Sequence, residues 1–190
     1  MVVSAQANIH LTLHGDPGDF ITHGIDSDET YTAANCTLFG YQLSDFIGLG
    51  APNYVQFTAL HIRHDNMDEY LLGSFATNKV PGPLVAGTYL NAKSWTTATA
   101  GQPGLSISYS HRSVNSISGS FIVNSINYHK VGTDYLLDYF DASFIQQDDL
   151  SLNKCWGTVT YNAVPEPATL AILGLGVVTL HRRRRRIERS

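Results

Sequence analysis

Two neighbouring segments, 118-SGSFIVNSINY-128 and 134-DYLLDYFDASFIQQ-147, decide the fold of this 190-residue chain. Both are rich in aromatic and branched apolar residues that alternate with polar ones, a pattern typical of half-buried strands. Gly132, Thr133 and Asp134 form a turn signal between them. The sequence therefore predicts a long hairpin at the centre of a sheet.

Six further stretches around this hairpin have strand patterns. Turn signals rich in Pro, Gly, Asn and Asp separate them, and no capped amphipathic helix of convincing length interrupts the series. Eight or so short strands at this spacing predict an all-β fold, namely an antiparallel β-sandwich of the jelly-roll or immunoglobulin-like kind. The six stretches are 8–14, 54–64, 69–75, 87–92, 105–110 and 153–162.

The last 27 residues differ in kind from the rest of the chain. Val164, Pro165, Glu166 and Pro167 precede thirteen residues without a charge, 168–180. An arginine cluster follows, and arginines beside an apolar segment mark the cytoplasmic side of a membrane. Everything before Pro165 is therefore predicted to lie outside the cytoplasm. The cluster consists of Arg182, Arg183, Arg184, Arg185 and Arg186.

The apolar stretch 168–180 is short for a membrane span. Its thirteen residues would reach roughly 20 Å as a helix, against a bilayer core of roughly 30 Å. A buried core helix is the alternative, but such a helix needs a polar face, and this stretch is apolar nearly all round. Arginine side chains can snorkel and extend the reach. We therefore expect a short C-terminal transmembrane helix.

This order of Pro-Glu-Pro, short apolar span and arginine cluster resembles the PEP-CTERM sorting signal of Gram-negative bacteria. The resemblance covers residues 164–190. It implies processing by the membrane protease exosortase, with the precursor held transiently in the inner membrane and its C-terminus in the cytoplasm. In that resemblance 164–167 is the sorting motif, 168–180 is the span and 182–186 is the cytoplasmic stop.

The N-terminus contains what is expected to be the remnant of an export signal. Ala5, Gln6 and Ala7 match a small-x-small cleavage site, but no basic and apolar leader precedes them. A start assigned too late or a truncated chain would explain this, and an ordinary flexible terminus is the alternative. The predicted organisation is a signal-peptide remnant at 1–7, an extracytoplasmic β-sandwich at 8–163 and a sorting signal at 164–190.

Charge divides the chain at the same place. Residues 1–163 hold 6 Lys or Arg against 14 Asp or Glu, a net charge of −8, whereas residues 164–190 hold 6 against 2, a net charge of +4. An acidic domain argues against nucleic acid as a partner, because phosphates require clustered Lys and Arg.

Cys36 and Cys155 lie near opposite ends of the predicted domain. In an oxidising compartment two such thiols can pair, closing a loop of about 120 residues and adding roughly 2–4 kcal/mol of stability. We expect this disulfide, and two buried free thiols are the alternative.

A second resemblance covers most of residues 16–162. The words PGDFI at 17–21, LVAGTYLNA at 84–92 and GTVTYN at 157–162 are similar to a secreted β-rich domain of bacterial exported proteins. Members often have a cysteine pair where this chain has Val114 and Asp148. The resemblance implies no known activity.

The sequence predicts no catalytic, cofactor or metal site. It lacks a Gly-x-Ser-x-Gly elbow, a phosphate loop and a His-Glu-x-x-His motif. His61 and His64 fall on opposite faces of a strand, which defeats shared metal ligation. The acidic segment 26–29 is interpreted as a solvated loop, with calcium binding as the alternative. Asp134, Asp138 and Asp141 are attributed to alternating strand faces, with Asp138 facing solvent at the sheet surface, and paired-carboxylate glycoside hydrolysis is the alternative.

The sequence patterns predict three candidate functions. The first is a non-enzymatic surface or matrix protein, sorted through exosortase and associated with extracellular polysaccharide. The second is a carbohydrate-binding module, because the ten tyrosines and two tryptophans offer rings that stack on sugars. The third is a secreted hydrolase. Fold class alone does not separate them, because sandwiches host all three.

Overall fold

Every regular element of the described chain is a β-strand. The structure is a computed structural model, and it describes residues 6–61, 69–114 and 116–164. The all-β prediction is confirmed. The ten strands are β1 Gln6–Gly15, β2 Ser27–Thr32, β3 Leu38–Ser44, β4 Tyr54–His61, β5 Glu69–Ala76, β6 Gly87–Ser94, β7 Gly104–Tyr109, β8 Ile117–Val131, β9 Asp134–Asp148 and β10 Lys154–Val164.

The predicted long hairpin is confirmed. β8 and β9 pair from Ile117–Asp148 to Val131–Asp134, with irregularities after Val123 and Asn127. Inward positions such as Phe121, Phe140 and Phe144 are buried, as the alternation of the sequence predicts. The hairpin lies at the middle of the sheet, with β10 beside β9 and β6 beside β8.

All ten strands belong to one sheet, in the order β2-β1-β10-β9-β8-β6-β7-β5-β4-β3. β6 and β7 form its only parallel junction in the described chain, and they pair at two positions, Lys93–Gly104 and Ser94–Leu105. The predicted two-sheet sandwich is therefore corrected. A six-stranded half and a four-stranded half do face each other, but this short junction makes them one continuous sheet.

The core forms where the sheet curls and its halves meet. The Phe57 ring of β4 lies 5.2 Å from that of Phe140 in β9, and the Phe75 ring of β5 lies 5.4 Å from that of Phe121 in β8. All four side chains are at most 1% exposed. Full burial of such a ring stabilises the fold by roughly 1.5–3 kcal/mol, so this aromatic contact holds the two halves together.

Polar contacts also join the halves. The buried Gln146 side chain of β9 accepts a hydrogen bond from the Ile107 N–H at 2.8 Å and donates one to the Ile107 carbonyl at 3.0 Å. At the free edge, the Leu137 N–H donates to Tyr41 Oη at 3.0 Å, and the Tyr41 ring lies 5.0 Å from that of Tyr161. β3 therefore crosses the end of β9 and β10, and the sheet closes almost completely on itself.

Candidate functional site

The sorting motif begins where the sheet ends. Val164 is the last residue of β10 and pairs with Gln6, the first residue of β1. Both ends of the domain therefore leave the sheet at the same place, called here the exit end.

The remaining predicted sorting residues lie outside the described residues. They comprise Pro165, Glu166 and Pro167, the apolar stretch 168–180 and the arginines 182–186. The predicted transmembrane helix is among them. Within residues 6–61, 69–114 and 116–164, no helix has the length and apolar character that a membrane crossing requires.

The predicted disulfide is not found, because both cysteines are free thiols. Cys36 follows β2, with its N–H donating to the Thr32 carbonyl, and Thr32 pairs with Asn8. Cys155 pairs with Gly15, at the other end of β1. Seven residue steps along the strand join Asn8 to Gly15, about 23 Å at about 3.3 Å per step. A disulfide requires Cα atoms within about 7 Å, so the register opposes the bond.

Burial governs the chemistry of the two thiols. Cys155 is buried, and this burial, reinforced by the charge of Asp19, raises the pKa of its thiol to about 12. Burial also raises the pKa of Cys36, although a hydrogen bond with the Thr32 backbone opposes the shift. Neither environment activates a thiolate, which requires nearby positive charge.

The acidic segment 26–29 is not the predicted solvated loop, because Ser27–Thr32 forms the edge strand β2. Two histidines of β1 contact carboxylates of the segment 26–29. His10 Nε2 lies 2.7 Å from Asp28 Oδ1, and His14 Nδ1 lies 2.9 Å from Asp26 Oδ1. These exposed pairs contribute little stability. Each histidine contacts one carboxylate, so these contacts do not bring the carboxylates together around a cation.

The structure does not assemble the other candidate ligands either. Described residues include no group of three or more His, Cys, Asp or Glu side chains placed to hold a metal ion. His61 ends β4, and His64 lies outside the described residues. Asp138 contacts His129 Nδ1 at 3.0 Å, while Asp141 accepts a hydrogen bond from Thr160 Oγ1 at 3.5 Å. Because Asp138 and Asp141 contact different partners, the structure gives no support to glycoside hydrolysis by paired carboxylates.

A groove of about 330 Å³ opens on the outer face of β5 and β7. Tyr70 and His111 form one wall, Trp95 forms another, and Ser106 and Ser108 of β7 lie between. Alternation along β7 explains the serines, because the residues beside them, Leu105, Ile107 and Tyr109, all point into the core. We call this the aromatic groove.

A strained turn shapes one wall of the aromatic groove. Tyr109 and Arg112 exchange backbone hydrogen bonds across Ser110 and His111, whose φ angles are 49° and 61°. Such a turn normally takes Asn or Gly, because the left-handed region costs other residues roughly 1–2 kcal/mol each. The turn lays the His111 ring flat on Tyr70, with ring centroids 5.6 Å apart and planes 8° apart.

The lining of the aromatic groove defines the ligand that it fits. The part of the lining that the structure describes combines ring faces with serine and threonine hydroxyls and contains no Lys, Arg, Asp or Glu. Its volume is at the lower end of the range for small-molecule sites. A neutral ligand with apolar C–H faces and several hydroxyls matches this lining best. The sequence prediction noted the aromatic richness but missed these residues, because they come together only through strand pairing and the 110–111 turn.

Comparison with known proteins identifies the C-terminal segment. The family model described as the PEP-CTERM protein-sorting motif matches residues 163–186. The chain therefore carries a PEP-CTERM motif, as its sequence predicts, and this motif supports an exported protein that passes through the membrane and is sorted through exosortase. No curated protein and no solved structure is similar enough to the chain to count as a match.

Proposed function

We propose that residues 6–164 form a non-enzymatic domain displayed at the cell surface or in the extracellular matrix. During export the stretch 168–180 anchors the precursor in the inner membrane with Arg182–Arg186 in the cytoplasm. Exosortase then processes the segment around Pro165–Pro167 and releases the domain. The observation that carries this proposal is the match to the sorting motif at 163–186, which starts as the last strand ends.

The arrangement of the domain is consistent with removal of the tail. β10 pairs along its length with β1 and β9, and its last residue pairs with Gln6. Among the described residues, the ten-stranded sheet and its aromatic core are formed within 6–164. A folded domain that ends next to the sorting motif suits a protease that cleaves the chain after it.

Neutralising the arginine cluster tests the proposed topology. In a host with exosortase, replacing Arg182–Arg186 with glutamine should weaken retention and processing of the precursor, because the positive charges that hold the C-terminus inside are lost. Replacing the same five residues with lysine is the matched control, since it keeps the charge. Unchanged processing and location of the glutamine variant would show the topology to be wrong.

The aromatic groove favours carbohydrate binding as a second candidate function. Its ring faces can stack on the C–H face of a sugar, and its hydroxyls can bond to sugar hydroxyls. No Lys or Arg is among the described residues that line it, which favours a neutral saccharide over an acidic one. An extracellular polysaccharide is the natural partner of such a site on an exported protein.

A glycan array with matched variants tests this second function. The chain should bind selected neutral glycans saturably, and Tyr70→Leu should weaken binding about tenfold, because one stacking face is worth about 1.4 kcal/mol. Ser106→Ala should weaken it less, as expected for one hydrogen bond. Ser143→Ala, on the outer face of β9, is the control. No saturable binding, with no hydrolysis, would leave the non-enzymatic surface role as the only candidate.

A further inference from the structure

We propose that the exit end of the sheet rests on the bilayer surface while the precursor is anchored. The contact surface, called here the apolar rim, consists of exposed apolar side chains in the loop after β3 and around the β8–β9 turn. The inference rests on the proposed function, because it requires the tail to be held in the membrane. The rim comprises Phe46, Ile47, Leu49, Val131 and Leu136.

The apolar side chains of the rim are about half exposed to water, which is unfavourable for apolar groups. Phe46, Ile47 and Leu49 are 49%, 46% and 47% exposed, and they fall within four consecutive residues of one loop. Val131 and Leu136, on either side of the hairpin turn, are 53% and 40% exposed. A clustered apolar surface of this kind marks a site that something else covers.

The two parts of the rim lie side by side. A groove of about 650 Å³ has Tyr41–Phe46 on one wall and Thr133–Leu136 on the other. The hydrogen bond from the Leu137 N–H to Tyr41 Oη fixes β3 against the base of the hairpin. The rim residues Phe46 and Leu136 both line this groove, so the loop and the turn adjoin there.

Hydrogen bonds and glycines fix the shape of the loop, and the half-exposed Phe46 ring packs on the buried Tyr54 ring at 5.0 Å. The Asp45 carboxylate accepts hydrogen bonds from the Leu49 and Gly50 N–H groups at 3.0 and 2.7 Å. Gly48 and Gly50 have φ angles of 71° and 75°, which suit glycine. At its start the loop is tied to the sheet by the Phe46 N–H, which donates to Asn53 Oδ1 at 3.1 Å.

Register places the rim at the exit end. Asn162 of β10 pairs with Tyr139 of β9, so Val164 comes level with Leu137, the residue bonded to β3. The hairpin turn at Asp134 lies three residues farther on, about 10 Å beyond Val164. The rim is thus the part of the domain that projects past the point where the chain leaves.

The chain from Val164 to the apolar stretch is short. Four residue steps join Val164 to Ala168 and span at most about 14 Å when fully extended. If Ala168 lies at the edge of the bilayer, a hairpin that projects about 10 Å past Val164 reaches the interface. Anchoring therefore brings the rim to the membrane surface.

Apolar insertion rather than charge would hold the rim there. Residues 1–163 have a net charge of −8, so anionic lipid headgroups repel the domain as a whole. Phe, Ile, Leu and Val side chains instead enter the boundary between headgroups and acyl chains. The contact should consequently persist at high salt, which screens charge but not apolar burial.

Site-specific fluorescence on the full chain tests the proposal. The protein is reconstituted into phosphatidylcholine vesicles containing nitroxide-labelled lipid, with an environment-sensitive fluorophore on one introduced cysteine. Ile47→Cys reports the rim, Leu150→Cys reports an exposed leucine in the β9–β10 turn at the opposite end, and Gly174→Cys reports the tail. Cys36→Ser is the common background, and buried Cys155 with its raised pKa does not compete for the label.

We expect quenching at positions 174 and 47, at low and at high salt, and none at 150. Adding Leu49→Asp should reduce quenching at position 47 at least twofold and leave position 174 unchanged. Quenching at 174 with no more quenching at 47 than at 150 overturns the rim contact alone. A label at 174 that stays in water overturns the membrane anchor of the proposed function, and the rim contact with it.

Discussion

Gly157 shows how little space the pairing of β1 with β10 leaves. A Cβ atom there would lie 1.9 Å from the Thr12 carbonyl oxygen and 2.8 Å from the Thr12 carbonyl carbon. Both atoms belong to the backbone of a buried strand, so neither can rotate away. A side chain at this position would push β1 off the central part of the sheet.

Gly157→Ala should therefore destabilise the domain by about 1–3 kcal/mol, the usual cost of overpacking. Gly40→Ala is the control, because a Cβ atom at Gly40 meets nothing within 4 Å. Urea unfolding of both variants measures the difference. Equal stability of the two variants would contradict the register of β1 on β10.

The two cysteines should behave as free thiols of unequal access. A thiol reagent should label Cys36, which is partly exposed, in the folded protein, whereas Cys155, 1% exposed, should react only after unfolding. Mass spectrometry should count one label before denaturation and two after it. Protein from the oxidising periplasm that accepts no label after denaturation would restore the disulfide that the sequence predicts.

At the scale of the elements, the Tyr41 hydroxyl helps to hold the edge strand β3 across the end of β9. Tyr41→Phe removes the acceptor of the Leu137 N–H, and should cost about 1 kcal/mol while leaving the ring packed on Tyr161. Tyr128→Phe is the control, since Tyr128 contributes a ring contact with Tyr135. Chemical denaturation measures both. If Tyr41→Phe costs no more than Tyr128→Phe, that hydroxyl does not secure the edge.

Sequence patterns predicted the eight strands that have clear apolar alternation, and they missed two. β2 contains only polar residues and one buried tyrosine, Tyr31, so its charged residues resemble a loop. It forms a strand because the edge of β1 around His10 provides backbone groups with which β2 can pair. β3 was missed because both of its faces are only half-buried and Gly40 interrupts its apolar residues.

The single sheet could not be predicted from local patterns. It depends on the pairing of Lys93 and Ser94 with residues of β7, and on the Gln146 side chain that bonds to Ile107 between the halves. These contacts join distant parts of the chain and leave no periodic signal.

At the scale of the whole molecule, the chain combines a PEP-CTERM motif at 163–186 with an all-β domain in residues 6–164. The motif was predictable from the sequence, because it is defined by the order of residue types along the chain. The domain was predictable only as all-β, because the groove and the apolar rim depend on register. The exit end connects the two parts, since both the first and the last strand leave the sheet there.

We expect exosortase to remove the tail from a folded, exported domain. Intact-mass measurement of the protein from matched hosts with and without exosortase tests this processing. We predict a released protein ending near Pro165–Pro167 in the first host, and a longer, membrane-associated protein in the second. Replacing Pro165, Glu166 and Pro167 with alanine should reproduce the second result in the first host. An identical C-terminus and location of the protein in both hosts would show that exosortase does not remove the tail.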